Sequence, residues 1–357
     1  MKYIKAVLAC FSRILCQVIY YSGTYAVLDA VFRIKGIYII LYHRLADRQM
    51  GEDLPFLAVD NKSFEAQIQF FKSKYHLITM DEAVKLIAAG RRIARDYLVI
   101  TLDDGYKDNY TYGYPAFRKY DVKPTLYVTA GNVENQTYLW HDRVWDMVFN
   151  SKAECINLNF RGMEFKANIK TRAQKRETVF KLWKLAKELD EIRKGEFLTC
   201  LASSSGTETG EKCSLMLNWN EVKKLSEMGV DIGGHTLTHP ILANNPEAFI
   251  VNEIHGSKKV IESKLNRNIN HFSYPNGKYG DYNEFTAREV SKHYKSAATT
   301  IQGINFAGDD VYTLKRIYFS NDAGLTYIKV KLLFIKIRET LGFIQKKLKG
   351  FIAAKMD

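Results

Sequence analysis

Six short apolar runs set the strongest limit on how this chain can fold: Ile37 to Tyr42, Leu98 to Leu102, Thr125 to Thr129, Val230 to Ile232, His271 to Tyr274 and Ser296 to Thr299. Their length suits strands rather than helices. Between several of them lie stretches with apolar residues at helical spacing: Ser63 to Tyr75, Met80 to Ala89, Asn218 to Met228 and Pro246 to Leu265. Strands that alternate with helices are expected to run parallel, with the helices packed outside the sheet. A barrel and an open doubly wound sheet both satisfy that order. Helix limits are also readable. Asp81 precedes the periodic Ala83, Leu86 and Ile87, and Gly90 follows them, an expected cap at each end. Asn218-Trp219-Asn220-Glu221 opens a second helix that Gly229 stops.

The polar residues with chemical potential fall just past these runs. Thr101-Leu102-Asp103-Asp104-Gly105 follows one, and Gly234-His235-Thr236-Leu237-Thr238-His239-Pro240 follows another. Neighbouring side chains on a strand point to opposite faces, so two adjacent carboxylates reach one site only if the turn at Gly105 re-aims them. One can then ligate a divalent cation while the other stays beside it as a base. His235 and His239 stand four residues apart, a spacing that stacks two imidazoles on one side of a helical turn and suits a zinc-like ion. One Asp and two His make three protein ligands, and an open fourth position separates a catalytic site from a structural one. Taken separately, Asp-Asp-Gly is most often a solvated turn, and a His pair most often a surface or core feature. Their shared setting, after a strand-like run and beside a glycine, points to one metal site. His43 and Asn276 hold the same kind of position, as residues gathered at the carboxyl rim of a barrel would.

Thr-Leu-Asp-Asp-Gly-Tyr at 101–106 and His-Thr-x-x-His-Pro at 235–240 resemble the first two motifs of the NodB-like polysaccharide deacetylases, carbohydrate esterases that remove N-acetyl or O-acetyl groups from sugars. The resemblance runs from about Ile37 to Tyr318 and takes in Leu41-Tyr42-His43-Arg44, Trp140-His141-Asp142-Arg143 and Phe272-Ser273-Tyr274-Pro275-Asn276-Gly277. It implies an α/β fold, a distorted (β/α) barrel of the glycoside hydrolase and deacetylase type with fewer strands than the usual eight. It also implies Asp103 as general base, Asp104, His235 and His239 as ligands of a divalent ion, with Zn2+ expected, and the backbone at Asn276 as oxyanion donor. The expected substrate is an acetylated glycan, N-deacetylated as a polysaccharide or a lipid-linked precursor. An O-acyl esterase, a deformylase acting on sugars and a catalytically silent glycan-binding barrel are the alternatives, the last disfavoured because a binding module has no need of Asp103. Tyr106, Trp140 and Tyr274 are candidate aromatic faces for sugar rings, with packing as their competing role.

The chain departs from the commonest family pattern in two places. Ser273 and Asn276 flank Pro275 where an Arg and a Tyr are usual, and Leu314-Lys315-Arg316 occupies the expected place of a late Leu-x-His motif whose His is the general acid. A subset of the family carries an equivalent His in a Tyr-His pair after the first strand, as though the barrel were circularly permuted, and His43 fits that description. The usual Arg holds the catalytic Asp ionised. Arg143 and Arg316 are the two candidates to replace it.

At 357 residues and 46% hydrophobic, the chain can bury a sizeable core. Residues 37–325 are expected to form the barrel, with an insertion at about 151–213 that breaks the alternation. Within it Arg172 to Lys194 reads as a helix with Val179, Leu182, Trp183, Leu185 and Leu189 as its buried stripe, and Ala202 to Glu211 as a mobile loop. The insertion would restrict one side of the barrel mouth or merely decorate it.

The net charge of +13 is unevenly spread. In the tail, 326–357, eight Lys or Arg interleave with apolar residues such as Ile328, Leu332, Ile335, Leu341, Phe343 and Phe351. Such a basic amphipathic helix suits an anionic membrane surface. The segment 1–36 is similarly apolar and cationic, but Arg13 interrupts it and no small-residue cleavage site follows. It is a poor signal peptide and too broken for a membrane span. The expectation is an enzyme in the cytoplasm or attached peripherally to the inner face of the membrane through both termini. A cell-envelope or secreted location is the alternative, and tails packed on the barrel are the alternative to membrane contact. Nucleic acid is not expected as a partner, because no binding motif accompanies the charge. Cys10, Cys16, Cys155, Cys200 and Cys213 show no paired spacing, which argues against a disulfide framework and for a reducing compartment.

Overall fold

The computed structural model describes residues 14–47, 57–207, 215–319 and 324–353. Cys10, Cys213, the expected loop from 208 to 211 and the last residues of the tail lie outside them. The main sheet has seven strands, all paired in parallel: β1 (Ile37–Tyr42), β2 (His76–Leu77), β3 (Tyr97–Leu102), β4 (Thr125–Val128), β5 (Asp231–Gly234), β6 (His271–Ser273) and β7 (Ser296–Ala298). Their order is β1-β3-β4-β5-β6-β7, with β2 beside the start of β3. Every residue of β1, Ile-Tyr-Ile-Ile-Leu-Tyr, is buried. An unbroken apolar run is what a parallel strand covered on both faces requires.

The segment Leu314 to Ile317 decides between barrel and open sheet. Leu314 N–H donates to Ala297 O at 3.0 Å, and Ile317 N–H donates to Ile39 O at 2.7 Å, so this short stretch joins the last strand to the first. The result is a distorted barrel of fewer than eight strands with helices outside.

Capping explains where those helices start. Asp60 accepts from Ser63 N–H at 3.1 Å to open Asn61–Lys74, and Asn218 with Glu221 forms a capping box for Trp219–Glu227. The expected cap at Asp81 is corrected. Thr79 caps Met80–Ala88 in a box with Glu82, while Asp81 lies inside the first turn, 3.2 Å from His271 Nε2.

The insertion has its own apolar core, which reaches back to Trp140 and includes Val144, Ile156, Val179, Leu182, Phe197 and Leu201. It comprises the helix Trp140–Phe149, a hairpin of Cys155–Phe160 and Met163–Asn168, and the helices Arg172–Lys187 and Glu191–Ser205. The single helix expected across Arg172 to Lys194 is therefore two. Asp190 breaks it by capping the second, accepting from Arg193 N–H at 2.8 Å. Ala202 to Ser205 belong to that second helix rather than to a loop.

The helix Leu325–Ala353 packs against Thr24–Val31 and Asn61–Lys74. Its Ile328, Leu332 and Ile335 join the main core, so the near half of the tail is part of the fold. Ile14, Val18, Val27, Val31, Leu341, Phe343 and Ile344 stay exposed. Among the described residues no single helix is long and apolar enough to cross a membrane. The pair Ile14–Tyr21 and Thr24–Val31 passes by length and composition only, bent by 76°.

Candidate active site

The carboxyl ends of β1, β3, β5 and β6 converge on one cavity of about 490 Å³. His43 follows β1, Asp103 and Asp104 follow β3, His235 and His239 follow β5, and Asn276 lies beyond β6; all six line it.

Asp103 continues the ladder, its N–H donating to Tyr42 O at 2.9 Å. Asp104 then turns into the left-handed region at φ 80°, and Gly105 follows at φ 86°. Two successive left-handed residues re-aim the second carboxylate, as the adjacent pair requires. The His pair is corrected in its setting: residues 235–240 are a loop, not a helical turn. Thr236 and His239 take φ of 67° and 61°, conformations a β-branched or bulky residue holds only when its surroundings enforce them. Glu253, which is buried, supplies that enforcement. Its Oε2 accepts from the N–H groups of Leu237 (2.8 Å) and Thr238 (2.9 Å), and its Oε1 from Thr238 Oγ1 (2.9 Å). Gly131 lets the opposite loop close in, because a Cβ there would stand 2.8 Å from Leu237 O.

The loop brings His235 Nε2 and His239 Nε2 to 3.3 and 3.4 Å from Asp104 Oδ1. One donor atom from each of the three residues lies within 4.8 Å of the others. A tetrahedral ion with ligand bonds near 2.0–2.1 Å sets its donors roughly 3.3 Å apart, so the spacing fits. Hydrogen bonding fits as well. His235 Nδ1 donates to Ser273 O at 2.6 Å, which turns Nε2 toward Asp104. Among the described residues neither oxygen of Asp104 has a hydrogen-bond partner, although the side chain is only 1% exposed. Buried, unpartnered carboxylate oxygens facing two imidazoles are what a cation would satisfy. Burial drives the His239 imidazole well below its ordinary pKa, which keeps it neutral and able to ligate.

Asp103 is bound differently. Arg316 Nη1 and Nη2 donate to its Oδ1 and Oδ2, each at 2.7 Å, and Ser273 Oγ donates to Oδ2 at 3.1 Å. Of the two arginines the sequence offered, Arg316 is the one on Asp103. Burial pushes the Asp103 carboxyl upward, but Arg316 and His235 outweigh it and hold it below the usual carboxylate range. The site thus contains one carboxylate kept ionised beside a second that is free to ligate.

The aromatic candidates divide. Trp140 lines the cavity and donates its indole N–H to His239 O at 3.2 Å. Tyr106 and Tyr274 are buried and not among the residues that line it, as the packing role weighed for them would have it. Tyr106 is buried under the Arg44 guanidinium and donates to Asp142 Oδ2 at 2.8 Å, with His141 Nε2 at 3.0 Å from the same hydroxyl. Tyr274 stacks on Tyr282 with centroids 4.2 Å apart. The rings that do reach the cavity include His141, Phe180, Trp183 and Phe319. Three of these stand in or beside the insertion, where periodicity marks a stripe but not which of its edges meets the barrel.

Comparison with known proteins agrees with this geometry. A family model described as polysaccharide deacetylase matches residues 91–294. YxkH of Bacillus subtilis, whose name assigns it to the polysaccharide deacetylases, is 27% identical over 110 residues, 30% of this chain. That match spans 37% of the relative's length. Among solved structures, the deacetylase PplD of Streptococcus pyogenes, in complex with acetate, superposes with a TM-score of 0.55 at 20% identity, covering 84% of this chain and 98% of that one. IcaB of Ammonifex degensii gives 0.55 at 15% identity, covering 84% and 97%. A de-N-acetylase of Aggregatibacter actinomycetemcomitans gives 0.52 at 12%, covering 82% and 98%. At these identities the superpositions speak to the fold.

Proposed function

The chain belongs to the polysaccharide deacetylase family, and from that premise we propose that it hydrolyses N-acetyl groups from a sugar of an acetylated polysaccharide or lipid-linked glycan precursor. The observation that carries this reading is the pairing of an ionised Asp103, gripped by Arg316, with an unpartnered Asp104 facing two imidazoles in one cavity. Asp104, His235 and His239 would hold a divalent cation, for which zinc suits the one-oxygen, two-nitrogen donor set. Bound there, it supplies Lewis acidity to the acetyl carbonyl and acidifies water.

The chain's own residues do the rest. Asp103 accepts the proton of the attacking water, and Arg316 keeps its carboxylate charged and fixed for that step. His43, which lines the cavity on the β1 side, would give a proton to the departing amine. The backbone at Asn276 is the donor for negative charge developing on the acetyl oxygen. Trp140 flanks the sugar and ties down the His239 loop through its indole N–H.

Purified protein should contain about one equivalent of divalent metal and release acetate from N-acetylglucosamine oligomers. Chelation should abolish release, and Asp103→Asn should abolish it with metal retained. Protein without metal affinity and without acetate release on a panel of N- and O-acetylated glycans would overturn the reading. For location we favour a peripheral site on the inner membrane face. The exposed Ile14, Val18, Val27, Val31, Phe343 and Ile344, together with the lysines of Leu325–Ala353, support it, and flotation with anionic vesicles tests it.

A further inference from the structure

The outer wall of the cavity comes from the insertion helix Arg172–Lys187, which contributes Phe180, Trp183, Lys184 and Lys187. A row of rings leads outward from the histidine pair: His239 to His141 at 5.3 Å, His141 to Trp183 at 6.3 Å, and Trp183 to Phe180 at 5.4 Å. Trp183 is held by its indole N–H, which donates to His141 O at 2.8 Å. This edge is therefore fixed in place.

Among the described residues three lysines line the same space. Lys187 is answered by Asp281 at 2.9 Å. Lys184, from the insertion, and Lys278, from the loop after β6, are exposed, and among the described residues no carboxylate or hydrogen-bond acceptor meets either ammonium group. The acidic residues on the cavity floor do not neutralise them, since Arg316 takes up Asp103 and Asp104 faces the two histidines. Two unanswered cations beside a low-dielectric aromatic wall attract an anion more strongly than they would on an open surface.

We propose that Lys184 and Lys278 form a subsite for a phosphate ester on the glycan, next to the sugar whose acetamido group meets Asp103 and Asp104. Phosphate is favoured over a uronate carboxylate by the donors present. An ammonium group acts as a point charge on tetrahedral phosphate oxygens, whereas a planar carboxylate is best matched by the guanidinium fork, and among the described residues no arginine lines the cavity. The subsite rests on the deacetylase reading for the identity of the sugar, not for its charge.

Binding separates the two. With Asp103→Asn protein at low ionic strength, tryptophan fluorescence or calorimetry would compare N-acetylglucosamine 1-phosphate, the methyl glycoside of N-acetylglucosamine, and a phosphate-free disaccharide of N-acetylglucosamine with glucuronate, whose charge is a carboxylate. The phosphate is expected to bind about tenfold more tightly than the methyl glycoside, the effect of two partly exposed charge contacts. That preference should fall toward one with added salt and in Lys184→Gln with Lys278→Gln, whose unfolding midpoint is measured alongside. It should survive in Lys223→Gln, which removes an exposed lysine from Trp219–Glu227 outside the cavity lining. Equal binding of phosphate and methyl glycoside, equal binding of phosphate and uronate, or a preference indifferent to the double substitution each overturns the proposal. Acetate release by the unsubstituted protein is read separately. Phosphate preference without release keeps the subsite and removes the deacetylase, and release without preference does the reverse.

Discussion

Arg316 and Asp103 meet fork to fork, Nη1 on Oδ1 and Nη2 on Oδ2 at 2.7 Å each, across 213 residues of sequence and with no more than 2% of either side chain exposed. Taking such a pair out of water costs more than its attraction returns unless further hydrogen bonds complete it. Here Arg316 Nε donates to Thr299 O at 2.7 Å and Nη2 to Ser273 Oγ at 2.8 Å.

Replacing Arg316 should therefore affect both stability and the pH profile. Arg316→Leu strands a buried carboxylate and is expected to lower unfolding free energy by about 3–5 kcal/mol. Arg316→Lys keeps the charge without the fork and should cost less. In the intact protein the Asp103 carboxyl sits below the usual range, so it stays ionised through neutral pH. Weakening the cation raises it, protonates the base at higher pH, and moves the acidic limb of kcat/KM upward. An acidic limb that stays in place in Arg316→Lys would mean that Asp103 is not the group titrating in that limb.

Metal dependence has a readout that needs no substrate. A ligand bound only by the folded protein stabilises it by about 2.7 kcal/mol at a hundredfold excess over Kd. Added zinc should raise Tm, and the rise should vanish in Asp104→Asn and His235→Ala but persist in Asp103→Asn. Indifference of Tm to metal in all four proteins would leave the Asp104, His235 and His239 cluster without an ion to hold.

These expectations trace back unevenly to the sequence. The parallel sheet was legible because a doubly covered strand must be almost wholly apolar, as β1 is and as β3 is apart from Thr101, whereas its closure into a barrel rests on Leu314 to Ile317. That Asp103, Asp104, His235 and His239 share one cavity was legible because each follows a strand-like run. The conformation of the 235–240 loop was not. The i, i+4 spacing reads as a helix, and nothing within the loop announces positive φ at Thr236 and His239, which depend on Glu253 of the helix that follows. Arg316 remained one of two candidates for the same reason, since only the closure of the ring brings residue 316 to Asp103. Tyr106 and Tyr274 stayed open between sugar face and packing, because an aromatic beside a motif is as easily a wedge under the site as a platform within it.

Glu253 offers a test of that loop. Glu253→Ala leaves the Leu237 and Thr238 N–H groups without their acceptor, a loss of about 1–3 kcal/mol. Supports of this kind typically change metal affinity by about 10–100-fold when removed. Glu253→Gln keeps one acceptor oxygen and should recover part of the affinity. A variant with lowered Tm but full metal affinity would show that Glu253 serves the fold and not the ligands.

The near half of the C-terminal helix can be assessed through Asp29, which pairs with Lys336 at 3.0 Å and also with Lys74. Lys336 is only 6% exposed, so its ammonium group depends on that carboxylate. Asp29 is 22% exposed at the side chain, which tempers the cost of losing it, and Asp29→Asn is expected to lower stability by about 1–3 kcal/mol. Burial raises the Asp29 carboxyl, but hydrogen bonds from Lys74 and Lys336 more than offset it and hold it below its ordinary value. A depressed carboxyl stabilises the fold above the unfolded-state value of about 3.9 and loses that contribution as pH falls through the folded-state value. The stability gap between native protein and Asp29→Asn should thus be constant near neutrality and shrink below about pH 4. Proteolysis of the helix Leu325–Ala353 should quicken in the variant, since Asp29 ties it to Thr24–Val31. Equal cleavage rates in the two proteins would show instead that the apolar contacts of Ile328, Leu332 and Ile335 hold the helix alone.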